Sequence, residues 1–357
     1  MFELAMLPAK DGDCLVLSYG EEPGRRILVD GGRASTADAL IDHLANPGGP
    51  GRALEVAVVT HIDADHIAGA LKLIPHPRRP PIGDIWFNAY HHLAPAPADY
   101  ETFSAVQGER LSDAIAVACL PWNRAFDGAA ACVEAEGDVR TLALADGLGI
   151  TLLSPDRERL ERLRPTWRAE VFKAGADRTQ ADIPDADVGG FEAFGGVPNI
   201  EALAARPDKP DRAVPNGTSI AFLAEWRGRR VLFGADAHPD LLAAAIRRLT
   251  GGGRLRVDLF KVAHHGSAAN ITSGLLELLD CERFAFSTDG SKHGHPDAEA
   301  VAKILAFCSP GQPKTLYFNY RRPGTTVWAE PAQMTKYGYR CIFPDDGRDG
   351  WLRIPIP

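Results

Sequence analysis

The segment THIDADH, residues 60–66, begins at the last residue of the apolar run LEVAVVT, residues 54–60. The apolar run predicts a buried β-strand, so two histidines and two aspartates stand at the end of that strand. Their side chains cannot all share one face of a strand or a helix, which favours a tight loop around a point charge. Imidazole and carboxylate together suit zinc, manganese or iron(II). We therefore predict that His61, Asp63, Asp65 and His66 bind metal, with an exposed polar turn as the alternative.

The composition predicts a globular chain, folded as one large two-layered domain or as two smaller ones. Of its 357 residues, 45% are hydrophobic and 24% are charged, which is enough for a large core. A formal net charge of −8 argues against an extended cationic surface of the kind that binds long nucleic acid. The six cysteines form no CxxC pair and indicate reduced core thiols. The N-terminal residues lack the features of a signal peptide and no apolar run is long enough to span a membrane, so we expect a cytoplasmic protein without a membrane partner.

Further candidate ligands follow two more predicted strands. Asp236 comes after VLFGA, residues 231–235, and the pair His264 and His265 comes after DLFKVA, residues 258–263. An acid after a strand is more often a helix cap or a turn residue, whereas two adjacent imidazoles at a strand end have no routine structural task. We expect the three strand ends to converge on one edge of the fold.

These motifs resemble a known family. HIDADH resembles the HxHxDH signature of the metallo-β-lactamase superfamily, in the HxDxDH form found in the nuclease-like domain of ComEC/Rec2 competence proteins and their soluble relatives. Other segments resemble that subfamily in the same order over about residues 5–310: DGDCLVL, RILVDGG, NGTSIAFLAEWRGRRVLFGAD, LFKVAHHGS and STDGSKHGHP. The resemblance implies one α/β domain over residues 1–357, a four-layer αββα sandwich of two mixed β-sheets with metals at one edge.

The resemblance also implies two divalent metal ions, zinc or manganese, and a role for each motif residue. His61 and Asp63 would hold the first ion, and Asp65 and His66 the second. Asp236 would bridge the two ions. His265 would complete the second site, and His264 would lie beside it and face the substrate. Asp30 would support the metal loop.

One departure from the family pattern concerns the first metal. Many members have a further histidine between the first motif and the bridging acid, whereas PNGTSI, residues 215–220, contains none. Asn216 or Ser219 would act there through a water molecule or contact the substrate directly. Because Asp63 stands where histidine is usual, the site is richer in oxygen, which favours manganese and leaves zinc open.

The site predicts metal-assisted hydrolysis. Two divalent ions roughly 3.5–4 Å apart generate hydroxide near neutral pH and stabilise the oxygens of the transition state. Asp65 or Asp236 would orient the hydroxide, and His264 or His295 would donate a proton to the leaving oxygen. We predict a phosphodiester substrate, with a nuclease acting on nucleic acid as one version. The alternatives are an ester, thioester or lactam hydrolase on the same fold, and a non-catalytic, metal-stabilised regulatory or interaction subunit of a larger assembly.

Two predictions concern the surroundings of the site. Asn88 lies in IWFNAYHHL, residues 85–93, and would line the substrate pocket, although a packing role is equally consistent with the sequence. Residues 165–215 are rich in Gly, Pro, Asp and Ala with weak periodicity, which predicts a loop-rich insertion.

Overall fold

Two mixed β-sheets form the centre of the fold. The computed structural model describes residues 1–21, 24–46, 53–93, 106–134, 139–176 and 196–357. The strands are β1 Phe2–Met6, β2 Leu15–Tyr19, β3 Arg25–Val29, β4 Leu54–Val58, β5 Ile85–Trp86, β6 Thr141–Ala143, β7 Gly149–Ser154, β8 Ala221–Trp226, β9 Arg229–Phe233, β10 Leu255–Val257, β11 Leu259–Lys261, β12 Leu279–Cys281, β13 Arg283–Phe286, β14 Lys314–Phe318, β15 Tyr339–Ile342 and β16 Leu352–Pro355.

Both large sheets combine antiparallel hairpins with parallel strands. The first sheet has the order β16-β1-β2-β3-β4-β5 and is antiparallel up to β3, then parallel. The second has the order β15-β14-β13-β11-β9-β8-β7-β6 and is parallel from β15 to β9, then antiparallel. Strands β10 and β12 form a separate parallel pair. Strands β2 and β3, and likewise β8 and β9, form antiparallel hairpins.

Helices cover the outer face of each sheet. Those on the first sheet include α1 to α4, and those on the second include α5 to α8. This arrangement confirms the predicted αββα layers. The helices are α1 Ala37–Ala45, α2 Ala64–Leu73, α3 Val106–Val117, α4 Arg157–Ala176, α5 Ile200–Ala204, α6 Pro239–Thr250, α7 Ser273–Leu276, α8 Ala298–Phe307, α9 Pro323–Thr326 and α10 Pro331–Tyr337. Within the described residues, no helix is both long enough and apolar enough to cross a membrane.

The central core lies between the two sheets. Alternate residues of the strands supply it, such as Leu17 and Val29 from the first sheet and Phe222 and Phe233 from the second. The residues between them face the helices, so both faces of each sheet are apolar. This double burial explains the nearly continuous apolar runs in the sequence. Each large side chain buried in this way contributes about 1.5–3 kcal/mol to the free energy of folding.

Helix α2 begins earlier than the sequence analysis expected. The HIDADH segment was predicted to be a loop, but α2 starts at Ala64 and places Asp65 and His66 in its first turn. The backbone carbonyl of Asp63 accepts hydrogen bonds from the N–H groups of His66 (2.9 Å) and Ile67 (3.0 Å), which starts the helix at once. A carboxylate in the first turn is also favoured by the helix dipole.

The predicted insertion at 165–215 contains two helices in its described part. Helix α4 continues through Pro165 to Ala176, and α5 lies within the segment. Leu160, Leu163 and Trp167 are buried at the spacing i, i+3 and i+7, so packing carries the helix past the proline. Residues 177–195 lie outside the described residues. The assignment of residues 1–357 to one domain stays a prediction.

His92, after β5, gives the stability of the fold a dependence on pH. Its Nδ1 accepts a hydrogen bond from the backbone N–H of Ala89 at 3.0 Å, so its proton lies on Nε2. Burial, together with the neighbouring His91, lowers the pKa of His92 to about 3. An unfolded histidine titrates near pH 6.5, so the unfolded state binds the proton first as the pH falls. The contribution of His92 to the free energy of unfolding is therefore complete above pH 6.5. It is lost as the pH falls below that value, and the loss is about 2 kcal/mol at pH 5.

We expect His92→Asn to reduce this acid sensitivity, because the amide Oδ1 can accept the same hydrogen bond without titrating. Urea unfolding at pH 7 and pH 5, with chelator present throughout, should show a smaller loss of unfolding free energy for the variant than for the wild type. An equal loss in the two proteins would contradict the role assigned to His92.

Candidate metal centre

Four strand ends supply buried polar side chains to one edge between the sheets. Asp30 follows β3 and His61 lies three residues after β4, both in the first sheet. Asp236 lies three residues after β9 and His265 four residues after β11, both in the second sheet. All four residues are at most 2% exposed, so their polar groups need partners within the protein.

Asp236 lies at the centre of this cluster. Its Oδ2 is 3.7 Å from His61 Nε2 and 3.4 Å from His66 Nε2. The same oxygen is 3.5 Å from His264 Nε2, and Oδ1 is 3.9 Å from His265 Nε2. Two ligands of one tetrahedral ion with bonds near 2 Å lie about 3.3 Å apart, so small movements would bring these atoms to coordinating positions.

The two aspartates of the HIDADH segment extend the cluster on opposite sides. Asp63 Oδ2 lies 3.6 Å from His61 Nε2, whereas Asp65 Oδ2 lies 3.6 Å from His66 Nε2 and 3.5 Å from His265 Nε2. Two groups of potential ligands result. The first contains His61, His66 and Asp236, and the second contains Asp65, His66 and His265. His66 belongs to both groups, whereas the family resemblance gave it to the second ion alone.

The unsatisfied atoms of the cluster fit a divalent metal. The Nε2 atoms of His61, His66 and His265 and the Oδ1 of Asp236 are buried and have no hydrogen-bond partner among the described residues. Each such atom costs about 1–3 kcal/mol unless something satisfies it. Divalent cations bound by the two groups would satisfy all four atoms, and mixed nitrogen and oxygen donors suit zinc or manganese.

Asp30 fixes the tautomers of two histidines. Its Oδ2 accepts hydrogen bonds from His66 Nδ1 and from the Thr60 hydroxyl, both at 2.8 Å. Because that hydroxyl has one proton, the 3.0 Å contact with His61 Nδ1 requires the His61 nitrogen to be the donor. When neutral, both rings therefore carry the proton on Nδ1 and keep a lone pair on Nε2, the atom that faces Asp236. The resemblance implied this supporting role for Asp30.

Glycines allow Asp30 and His66 to lie together. Gly31 N donates to His66 O and Gly69 N donates to Gly32 O, each at 2.8 Å, so the loop after β3 runs against α2. A Cβ atom on Gly69 would lie 1.9 Å from the carbonyl oxygen of Gly31, closer than any side chain permits. The close approach of the two backbones therefore requires glycine at this position.

A buried ion pair supports His265. Lys261 Nζ lies 2.8 Å from Asp13 Oδ2, and both side chains are at most 2% exposed. Asp13 Oδ1 is 3.5 Å from His265 Nδ1, which donates to the carbonyl of Ser287 at 2.9 Å. Asp13 also belongs to a third group of ligand-like atoms, but the Lys261 ammonium already neutralises it. We therefore assign Asp13 to the support of the site.

Asp13 and Lys261 were not among the site residues predicted from the sequence. Both lie in segments that resemble the family, DGDCLVL and LFKVAHHGS. The available signal was a charged residue beside or within an apolar strand, next to a candidate ligand. A charge at such a position is buried and needs a partner.

The charges of the cluster stabilise one another. Burial alone would raise the pKa of Asp236, but His264, His66 and His265 hold it well below its usual range. Burial also disfavours protonation of His265, yet Asp13 and Asp236 raise the pKa of His265 to about 10. A divalent ion would compete with protons for the same nitrogens, so we expect metal binding to release protons.

Two histidines lie at the rim of the cluster. The rings of His264 and His295 are 5.4 Å apart between centroids and nearly perpendicular. His295 Nδ1 lies 3.1 Å from an Asp297 carboxylate oxygen, and 12% of the His295 side chain is exposed. The structure therefore brings both predicted proton donors to the open side of the site.

The other predicted substrate contacts have different surroundings. Asn216 Nδ2 donates to Asp211 Oδ2 at 2.7 Å, beside His264. Ser219 is fully buried and its hydroxyl has no hydrogen-bond partner among the described residues. Both amide atoms of Asn88 bond the backbone of Ala131, at 2.9 and 2.8 Å, which gives Asn88 a structural partner. Roles of these residues toward substrate stay predictions.

Comparison with known proteins agrees with this fold. Residues 9–103 match the family described as "Metallo-beta-lactamase superfamily", a range that contains the HIDADH segment. This match covers part of the first sheet and its helices, and the two mixed sheets are consistent with the metallo-β-lactamase fold. A comparison with curated proteins gives no match.

Two solved structures resemble the chain distantly. A structure titled "CmlA beta-hydroxylase E377D mutant" has 12% identity and a TM-score of 0.38, over 99% of this chain and 53% of that one. This chain thus spans about half of the hydroxylase chain. Zn(2+)-bound PqqB from Methylobacterium extorquens has 15% identity and a TM-score of 0.39, over 95% and 86% of the two chains. At these values neither structure bears on the activity of this protein.

We expect Asp30→Asn to weaken metal binding by about 10- to 100-fold, because Oδ1 accepts from the Thr60 N–H and Oδ2 from His66 and the Thr60 hydroxyl, so either orientation of the amide puts its nitrogen against a donor. The residue has a φ of +59°, which asparagine tolerates as well as aspartate does. Competition with a chromogenic chelator measures the affinity. Asp38→Asn, an exposed acid in the first turn of α1, is the control. Equal affinities for Asp30→Asn and wild type would contradict the supporting role.

Proposed function

We propose that this protein is a two-metal hydrolase that cleaves phosphodiester bonds. The observation that carries the proposal is the approach of Asp236 to four imidazole nitrogens, at 3.4–3.9 Å, from two different sheets. The oxygen-rich donor set, with Asp63 and Asp65 in addition, supports two ions and favours manganese over zinc. The ComEC/Rec2-like form of the motifs supports a phosphodiester substrate.

Residues of this chain have separate tasks in the proposed reaction. When bound, divalent ions supply Lewis acidity, which makes a water molecule more acidic and neutralises charge on the ester oxygens. Asp65, at the edge of the cluster and 15% exposed, is placed to accept a proton from that water and to orient it. His295, whose Nδ1 donates to the Asp297 carboxylate, would deliver a proton from Nε2 to the leaving oxygen.

A substrate panel tests this proposal. The chain is freed of metal with chelator, reloaded with Mn²⁺ or Zn²⁺, and assayed with a chromogenic phosphodiester, a carboxylic ester and a lactam. We expect the phosphodiester to be cleaved fastest and the reaction to require the added metal. Faster cleavage of the ester or the lactam would reject the phosphodiester assignment, and no cleavage of any compound would favour a metal-stabilised interaction subunit.

The nuclease version needs a separate assay. Single- and double-stranded nucleic acids at low salt, where electrostatic binding is strongest, would test it. Cleavage of a small phosphodiester without cleavage of either polymer would restrict the substrate to small molecules, in agreement with the net charge of −8. The cytoplasmic location expected from the sequence is part of the same proposal.

A further inference from the structure

We propose that His264 is a ligand of the first metal ion and takes the place of the histidine that the sequence lacks. Asn270 and Asp211 hold it in the tautomer that binds. This inference rests on the metal-dependent part of the proposed function. It changes the role of His264 from a group that faces substrate to a group that faces metal.

The backbone directs both adjacent imidazoles at Asp236. His264 has φ 45° and ψ 52°, and His265 has φ 53° and ψ 14°, so two successive non-glycine residues are left-handed. This conformation costs roughly 1–2 kcal/mol per residue and persists where the surrounding structure enforces it. Its effect is that His264 Nε2 reaches Oδ2 of Asp236 at 3.5 Å, while His265 Nε2 approaches Oδ1 at 3.9 Å.

The position of His264 suits the first ion. His61 and His264 approach the same oxygen of Asp236, at 3.7 and 3.5 Å. Asp63 stands beside His61 at 3.6 Å and has no other imidazole within ion-pair distance among the described residues. With Asp236 as the common group, His61, Asp63 and His264 are three further potential donors for the first ion.

Asn270 fixes the tautomer of His264. Its amide nitrogen lies 3.2 Å from the carbonyl oxygens of Asp236 and Ala237 and 3.1 Å from Asp211 Oδ2, and these three atoms only accept hydrogen bonds. The amide oxygen must therefore face His264 Nδ1, which lies 2.9 Å away and has to donate. In the neutral ring Nε2 then keeps its lone pair, as it does in the neutral rings of His61, His66 and His265, which are the residues placed in the metal centre.

Asp211 anchors this arrangement. Its Oδ2 accepts from the amide nitrogens of Asn270 (3.1 Å) and Asn216 (2.7 Å), and its backbone N–H donates to Ala269 O at 2.9 Å. Asp211 lies near the end of the segment that was predicted to be a loop-rich insertion. The inference therefore gives that part of the segment a task, which is to position a metal ligand.

Metal titration of variants tests the inference. The wild type, His264→Ala and Asn270→Ala are reconstituted with Co²⁺, and ion stoichiometry, affinity and visible absorption are measured. We expect His264→Ala to lose the first ion or to bind it at least about tenfold less tightly. The loss of a nitrogen ligand should also change the visible absorption of the bound cobalt. Asn270→Ala, which keeps every ligand, should weaken the same ion by about 10- to 100-fold. His293→Ala, an exposed histidine near His295, is the control and should match the wild type.

The outcomes separate this inference from the proposed function. Unchanged stoichiometry, affinity and absorption in His264→Ala would overturn the inference and leave the two-metal hydrolase intact. A wild-type chain that binds no metal would contradict both. If His264→Ala does not fold, Asn270→Ala decides, because it leaves both imidazoles in place: unchanged affinity and absorption in that variant would overturn the inference.

Discussion

Asp236→Ala is expected to remove both metal ions and to lower turnover by at least about a thousandfold. Asp236 is the group that four imidazole nitrogens approach, so this variant loses the carboxylate that would contact both ions. A metal ion supplies several kcal/mol of transition-state stabilisation, and about 4 kcal/mol corresponds to a factor near a thousand in rate. Turnover of the chromogenic phosphodiester and elemental analysis of the same sample measure the two effects.

Loss of the fold must be separated from loss of metal in this experiment. Asp236→Asn keeps the side-chain volume and serves as a second variant, with circular dichroism as the measure of folding. Asp240→Ala is the matched control, because this acid lies four residues later, is 62% exposed and forms an ion pair with Arg159 on the surface. A folded Asp236→Ala variant that retains two ions would contradict the central position of Asp236.

Asp65→Ala is expected to abolish turnover while leaving the chain folded. The Asp65 side chain is 15% exposed and lies in the first turn of α2, so its removal leaves a small gap at the edge of the cluster. The variant loses the carboxylate beside His66 and His265, whereas the group formed by His61, His66 and Asp236 remains. We therefore expect it to keep one ion and to lose the residue that orients water.

The same substrate assay, with elemental analysis and circular dichroism, measures these effects. Asp38→Ala provides the control, since Asp38 is an exposed acid in the first turn of a helix, α1, remote from the ligand atoms in sequence. Turnover by Asp65→Ala at close to the wild-type rate would reject the role given to Asp65.

The sequence was sufficient for the layers of the fold and for most residues of the candidate site. Strands buried on both faces leave long apolar runs, and polar residues directly after such runs are visible without a structure. His61, Asp236 and His265 were found in this way, and Asp30 was found through the family resemblance. Their convergence also followed, because the carboxyl ends of parallel strands lie at one edge of a sheet.

The residues behind the ligands could not be predicted in the same way. The ion pair of Asp13 and Lys261 joins positions 248 residues apart, and no local pattern specifies such a pairing. The hydrogen bond from His264 to Asn270 depends on a left-handed backbone at His264, a conformation that a histidine rarely adopts. Helix α2 begins directly after Asp63, because the backbone carbonyl of this N-cap residue accepts the first helical hydrogen bonds. The same residue is a candidate metal ligand. Each of these features depends on tertiary packing, which overrides local preference.

Anomalous diffraction from crystals grown with Mn²⁺ or Zn²⁺ tests the central claim most directly. Data collected at the absorption edge of the metal locate the ions without reference to any assumed ligand. The account predicts two peaks within about 2.0–2.3 Å of carboxylate oxygens or imidazole nitrogens of the cluster, with Asp236 contacting both. Metal-saturated crystals with no anomalous peak beside Asp236 would contradict it.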